Sequence, residues 1–404
     1  DLSSSLSGWA VKFGVSLVAL TALLSILRVH HPFLPKDGRS LLKTTHAYVL
    51  NTLAGGSFYY FGILNSLAKA FENLSFKVPD RHVFRLQLNI DGLPLFKSSS
   101  LQFWPVLGIL QECVVKNPFV IALFCGVKKP TPLSEYLDAL VKELNNLKDG
   151  FVIHGKTFSL KITSVICDAP ARAFVKCIKN HTGYSGCDKC VQSGVYSNHR
   201  MTFPEINASL RTDESFRQAV DEDHHLGHSP LVESNIGMVS SFPHDYMHLV
   251  CLGVVRRLLD LWMSSIGPLQ CRLSGHQVKA ISERLFVLKG FLAEQVYNNF
   301  MLLSVAICIL ANPSFCLTMN DFANTLLVSF VKHFSKLYGS DFVVYNIHGL
   351  IHLSSDVRLH GHLDLISGFP FENYLQKLKK MLRKPHSPLT QVIRRLSEIE
   401  AVHS

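Results

Sequence analysis

The chain has 404 residues, enough for two or three domains at roughly 150 residues each. Hydrophobic residues make up 48% and charged residues 17%, which excludes a disordered or coiled-coil chain. Forty Lys and Arg against thirty Asp and Glu leave a formal +10, a balance that favours a polyanionic partner, nucleic acid before a membrane surface. The ten cysteines fall mostly in apolar runs such as Val305-Ala306-Ile307-Cys308-Ile309, the pattern of reduced thiols and not of a disulfide framework. The chain starts at Asp1, which leaves room for an upstream segment and for targeting signals that lie outside it.

The N-terminal stretch predicts two helices, Leu6 to Phe13 and Val15 to about Arg28, broken at Gly14. Ala10, Gly14 and Leu20 stand where a helix-turn-helix wants a small residue, a tight turn and a core residue, so residues 1–80 are expected to form a helical, DNA-binding region of that kind. A linker from His30 to Thr45 carries Pro32, Pro35 and Gly38, and a further helix is expected through Phe58-Tyr59-Tyr60-Phe61-Gly62 to about Leu74. From Phe84 the pattern changes to strands. Phe84 to Ile90 alternates apolar with polar and ends on Asp91-Gly92, a turn signal, and Gln102–Leu110 and Pro118–Gly126 read as two more strands.

Pro132 to Lys148 is amphipathic, with Leu133, Tyr136, Leu137, Leu140, Val141 and Leu144 on one face. Phe151 to Ile166 returns to strand around a hairpin at Gly155, and a helix follows from Ala169 to about Lys179. Three strands, helix, strand, helix, with acids ending the first and the last strand, is the order of a ribonuclease-H-like α/β core, placed at 81–190. Residues 191–345 read as a mainly helical insertion that includes His248–Ser264 and Tyr297–Ala311. Residues 346–404 supply a C-terminal helical part of the core, with Phe371–Leu382 carrying Glu372 near its start. Val15–Leu27 and Phe300–Ala311 both fall short of the ~20 residues that cross a bilayer and read as buried helices, so no membrane partner is expected.

Two constellations could carry chemistry. Asp91, Asp168 and Glu372 would supply the converging carboxylates that two divalent cations need. Taken singly, each has a plainer reading: a turn residue, a helix N-cap and a first-turn acid. Cys187 and Cys190 have the C-x₂-C spacing of a zinc knuckle, and His348 and His352, four apart on a helix, are the best remaining ligands, with His360 and His362 as alternates. Two core cysteines and a chance histidine pair among twenty would look the same. No phosphate-binding P-loop and no nucleophile elbow is present in the sequence.

Several blocks carry a family resemblance. Asp91-Gly92-Leu93-Pro94-Leu95-Phe96-Lys97-Ser98-Ser99, Cys167-Asp168-Ala169-Pro170-Ala171-Arg172-Ala173, the run from Lys179 to Cys190 and Asp245-Tyr246-Met247-His248-Leu249 resemble CACTA (En/Spm-type) DNA transposases, above all their animal transposase domain-containing relatives. The resemblance runs from Trp9 to about Glu400. More distantly, the layout is similar to the catalytic core of the V(D)J recombinase: Cys187 and Cys190 lie 19 and 22 residues after Asp168, and Glu372 lies 20 after His352.

The resemblance implies a DDE recombinase, in which Asp91, Asp168 and Glu372 hold two Mg²⁺ (or Mn²⁺) for strand cleavage and strand transfer. It also implies one structural Zn²⁺ on Cys187, Cys190, His348 and His352. Its partners would be DNA, as transposon ends and target, with the enzyme acting as a homodimer in the nucleus. Lys97, Arg172, Lys176, Lys179, Arg256 and Arg257, close to these motifs, are candidate phosphate contacts. Against the family pattern the chain is shortened near Leu288, which opens an alternative: a transposon-derived, catalytically inactive DNA or chromatin binder that keeps the fold and the zinc.

Overall fold

The computed structural model describes residues 1–44, 48–72, 79–113, 116–264, 267–274, 277, 288 and 290–403. Thr45, the expected helix end at Leu74 and the segment Ser282–Phe286 beside the shortening lie outside the described residues.

Helices α1 (Leu2–Lys12), α2 (Leu17–Leu27) and α3 (Gly38–Leu41) form a small unit with its own core of Ala10, Leu20, Leu24, Leu34, Leu41 and Leu42. Gly14 turns the chain between α1 and α2 at φ +59°, a conformation that suits a residue without Cβ. The outer face of α2 presents Val18 and Ile26, 81% and 67% exposed, which offer no hydrogen bonds to a base edge.

The segment expected to continue as helix is instead a hairpin. β1 (Asn51–Leu53) and β2 (Gly56–Tyr60) pair across Ala54-Gly55, both at positive φ, and β2 then pairs antiparallel with the strand Phe119–Gly126. The aromatic side chains of Phe58 to Tyr60 suit a pleated surface, and the Ala54-Gly55 turn supplies the left-handed backbone that a tight hairpin needs. Helix α4 (Ile63–Glu72) follows. Residues 51–72 therefore belong with the sheet and not with an N-terminal helical region.

The central strands β3 (Val83–Ile90), β5 (Gln102–Leu110), β6 (Phe119–Gly126), β7 (Phe151–Ile153) and β8 (Lys156–Ile166) fall close to their expected places, as do α5 (Leu133–Leu147) and α6 (Ala169–Lys176), while the short β4 (Leu93–Pro94) was not expected. They build one mixed, eight-stranded sheet ordered β1-β2-β6-β5-β3-β8-β7, with β4 attached to β5. β3 and β8 run parallel; the other pairings are antiparallel. The chain is an α/β protein with both sheet faces covered.

One face buries Phe84, Leu86, Leu88 and Ile90 under α5, whose Tyr136, Leu137, Leu140 and Leu144 enter the same core. The other face meets helices. Two of the polar residues in the β3 alternation are buried: Gln87 donates to Ser164 Oγ (2.8 Å) and to the Leu365 carbonyl (2.7 Å), and Asn89 donates to the Ile166 carbonyl (2.9 Å), while Arg85 stays exposed. The NH₂ group of each amide finds an acceptor, which offsets the cost of burying it.

After α6 come the hairpin β9 (Val195–Ser197) and β10 (Arg200–Thr202), α7 (Asp213–Arg217), and a π-helical stretch Met247–Val255 that runs straight into α8 (Arg256–Met263). Then follow α9 (Glu294–Ala311), α10 (Asn320–Tyr338), α11 (Tyr345–His360), α12 (Phe369–Lys380) and α13 (Pro388–His403). Leu303, Ala306, Leu327, Phe330, Ile347, Leu350, Phe371 and Leu375 of these helices share a core with Phe103, Leu107 and Leu123 of the sheet. Helix α9 starts at Glu294, earlier than expected, and its 18 residues are long and apolar enough by length and composition to cross a bilayer. Here it packs along α10, and Asn299 within it donates to the Phe330 carbonyl at 3.0 Å.

Candidate metal and carboxylate sites

Strand register brings the first two acids together. Asn89 of β3 is paired with Ile166 of the parallel β8, so Asp91 and Asp168, each two residues further on, emerge side by side at the same sheet edge. Asp168 caps α6, its carboxylate accepting the Ala171 N–H at 2.7 Å, and Asp91 accepts the Gly92 N–H at 2.6 Å. Both plain local roles are therefore real, and neither uses the whole carboxylate. Glu372 comes from the first turn of α12, and its carboxyl is hydrogen-bonded to that of Asp91.

The electrostatics record how closely the acids meet. Burial first, then the charges of Asp168 and Glu372, push Asp91 up to about 8. Glu372 is raised as well, chiefly by burial, with Asp245 and Asp168 adding repulsion. Among the described residues no Lys or Arg forms an ion pair with any of the three; the cation acting on Asp91 and Glu372 is His248.

His248 and Asp245 are site residues to which sequence reasoning gave no role. His248 lies in the π-helical stretch, where Asp245 accepts from its Nδ1. Burial opposes its charge, but Asp245, Asp168 and Asp91 outweigh that and raise His248 to about 9. Asp245, 3% exposed, also accepts the N–H groups of Met247 (2.9 Å) and Gly368 (2.7 Å). Gly368 immediately precedes α12, and a Cβ there would come within 2.4 Å of Asp245 Oδ2. One buried carboxylate thus fixes both the imidazole and the start of the helix that carries Glu372. The available signal was the D-x₂-H spacing, which places the two residues one turn apart, but such spacing is common without function.

The second constellation is a closed cluster. Cys187 and Cys190 follow α6 in a loop, and His348 and His352 sit one turn apart on α11; all four are buried and their ligand atoms lie within 4.8 Å of one another. The separations are 3.5 Å for the two sulfurs, 3.3 Å for the two Nε2 atoms, 3.3 Å for Cys190 to His348 and 3.7 Å for Cys187 to His352. Tetrahedral zinc with ordinary Zn–S and Zn–N bonds requires edges of about 3.8, 3.3 and 3.6 Å for S–S, N–N and S–N. The four donors therefore form a site that can hold one zinc ion. The hydrogen bond with Cys187 is the first cause that lowers the Cys190 thiol, and the Gln192 N–H also favours its thiolate. The expected alternates are used elsewhere: His360 Nε2 contacts the Ser240 carbonyl at 2.8 Å, and His362 is outside the cluster.

The two residues inside the C-x₂-C are buried and ionic. Asp188 pairs with Arg172 Nε (3.0 Å) and Lys176 Nζ (3.4 Å) and accepts the Tyr345 hydroxyl (2.7 Å). Lys189 pairs with Asp356 of α11 (2.7 Å), whose other oxygen meets His244 (2.9 Å). This corrects the expectation for Arg172 and Lys176. At 3% and 0% exposure they are closed off from any phosphate and serve to tie α6 to the knuckle and to α11. Lys97, Lys179 and Arg256 remain exposed, and Arg257 is half-buried.

No protein-family model matches the chain, and no curated protein matches it.

Proposed function

We propose that the chain is a DDE-type DNA recombinase of the transposase kind, which cleaves DNA strands at element ends and joins them to target DNA. The observation that carries this reading is the convergence of Asp91, Asp168 and Glu372, drawn from two neighbouring parallel strand ends and a helix whose Glu372 lies 204 residues after Asp168. A ribonuclease-H-like core is supported by the run β6-β5-β3-β8, three antiparallel strands followed by one parallel to the first of them, with α5 and α6 on one face.

Two Mg²⁺ or Mn²⁺ ions fit the cluster on charge, since its acids repel one another and lack a Lys or Arg partner among the described residues. Asp91, Asp168 and Glu372 would hold them, and such a pair supplies activation of the attacking oxygen and stabilisation of the leaving one. The protein's own groups do the remainder. Asp91 carries a proton at neutral pH and shares it with Glu372, so loading the site releases that proton. His248, charged up to about pH 9, offers a cationic donor to a phosphate oxygen, and Asp245 keeps its ring in place. The zinc cluster holds α11, and through it α12, against the sheet. The reading carries with it a nuclear location and a homodimer that holds two DNA ends.

The test is strand cleavage by the purified chain on a supercoiled plasmid and on the element's own termini, beside Asp91→Ala, Asp168→Ala and Glu372→Ala. Divalent-dependent nicking lost in each variant is the expected result. DNA binding without nicking would replace the reading by that of a non-catalytic binder, and absence of both would end the DNA reading.

A further inference from the structure

Away from both clusters, two arginines share one aromatic ring. Arg200 of β10 and Arg257 of α8 place their guanidinium carbons 4.7 and 5.6 Å from the centroid of Phe342. Nη1 of Arg200 and Nε of Arg257 are buried and have no hydrogen-bond partner. Among the described residues neither arginine forms an ion pair. Asp341, next to the shared ring, is engaged by the Asn198 amide, and Asp260 acts on Arg257 only from beyond ion-pair distance.

This arrangement is unfavourable for the chain alone. Stacking on Phe342 returns some attraction, but two like charges are held together with donors that no protein acceptor satisfies. Burial, and then the neighbouring Arg200, lower the Arg257 guanidinium from its ordinary value. The backbone holds the pair in this position, since Phe203 N–H donates to the Val343 carbonyl at 2.7 Å and so ties β10 to the Phe342 turn. A tetrahedral oxyanion between the two planar forks would satisfy the orphaned N–H groups and cancel the repulsion.

We propose that Arg200 and Arg257 form a phosphate-binding site that takes one phosphodiester group of a nucleic-acid strand. The anion chemistry stands on the orphaned guanidinium nitrogens. The choice of polymer rests on the reading above and on geometry: Arg257 lies nine residues after His248 in one continuous helical run, on the same element that brings His248 to the carboxylates.

The test uses the zinc-loaded full chain, with Arg200→Gln and Arg257→Gln, and with Lys332→Gln as an exposed control for the charge change. In phosphate-free buffer neither site variant should melt below the wild type, because each relieves the repulsion. Inorganic phosphate, against chloride at matched ionic strength, should raise the melting temperature of the wild type and of Lys332→Gln but not of the site variants. Fluorescence anisotropy on a 30-base-pair duplex should give a several-fold weaker affinity for each site variant and a salt slope smaller by about 1.

Site variants that melt lower in phosphate-free buffer, together with a wild type indifferent to phosphate, would make the pair a structural staple and overturn the proposal. A phosphate response with unchanged duplex affinity and slope would overturn the nucleic-acid assignment. Duplex binding weakened as expected in a wild type that never nicks would sink the recombinase reading and leave this site standing.

Discussion

Replacing Asp91 by asparagine should stabilise the cation-free protein while removing its capacity for divalent cations. Asp91 titrates near 3.8 when unperturbed and at about 8 in the folded chain, because burial and the Asp168 and Glu372 charges oppose its ionisation. Folding at pH 7 must therefore take up a proton that the unfolded chain lacks. Three pH units at about 1.36 kcal/mol each withhold about 4 kcal/mol at pH 7, and discounting for residual solvent access leaves about 2–4 kcal/mol. The sign follows from the raised folded value: the contribution is whole below pH 3.8 and is lost as pH rises through the window up to about 8. Asparagine keeps the shape, still accepts the Gly92 N–H and has no proton to take up. Urea unfolding in Mg²⁺-free buffer with zinc present should show Asp91→Asn more stable by about 2–4 kcal/mol at pH 7 and no different near pH 4. Millimolar Mg²⁺ should then raise the wild-type midpoint and leave the variant unmoved. A variant no more stable at pH 7, or a difference that does not grow from pH 4 to 8, would refute the convergence of acids inferred from the register.

Three further substitutions probe the supports of the site. Asp188→Asn leaves Arg172 and Lys176 buried without their anion and should destabilise by about 3–5 kcal/mol in chemical denaturation, whereas Lys97→Gln on the surface should stay within about 0.5 kcal/mol. Asp245→Asn should drop the His248 titration from about 9 towards the ordinary histidine value, read by NMR in Mg²⁺-free buffer; an unshifted His248 would show that Asp245 does not hold its charge. His348→Gln should reduce bound zinc, measured by mass spectrometry of metals, from about one ion per chain to a small fraction, with loss of cooperative unfolding.

What could be read from the sequence follows what is local. β3 and the β7–β8 hairpin were legible because alternation and the Asp91-Gly92 and Gly155 turns are short-range signals, β5 and β6 because they are short apolar runs, and the zinc donors because each pair has its spacing within one turn; the two-residue β4 gave no such signal. The hairpin Asn51–Tyr60 was missed although its signal was present in Gly55-Gly56 followed by aromatic β-formers; the apolar run that continues into α4 hid it. Arg172 and Lys176 looked like surface cations because their anion, Asp188, is brought to them only by the fold of the knuckle. The alternation around Gln87 did not show that it is buried, because the Leu365 carbonyl that accepts from it lies far along the chain. Asp245 and His248 gave only a common spacing, and their meaning depends on Gly368, 123 residues away.

The same long-range closures explain why a metal cluster belongs beside the carboxylates. Asp91 and Asp168 need nothing beyond sheet register, whereas Glu372 must return across the whole insertion. Joining Cys190 to His348 closes a separation of 158 residues, and the chain entropy of that closure is about 4–5 kcal/mol on the logarithmic scaling. A structural zinc site is worth about 10–16 kcal/mol when formed, which exceeds that cost and leaves a surplus for the buried ion pairs around Asp188 and Asp356. Those pairs then transmit the closure. Lys189 and His244 grip α11 through Asp356, and Asp245, next to His244, clamps Gly368 at the head of α12. From the knuckle to Glu372 each link is a buried polar contact with a defined partner. On this argument the cluster acts on the carboxylates through geometry alone, and the position of Glu372, not the integrity of the sheet, is what depends on it first.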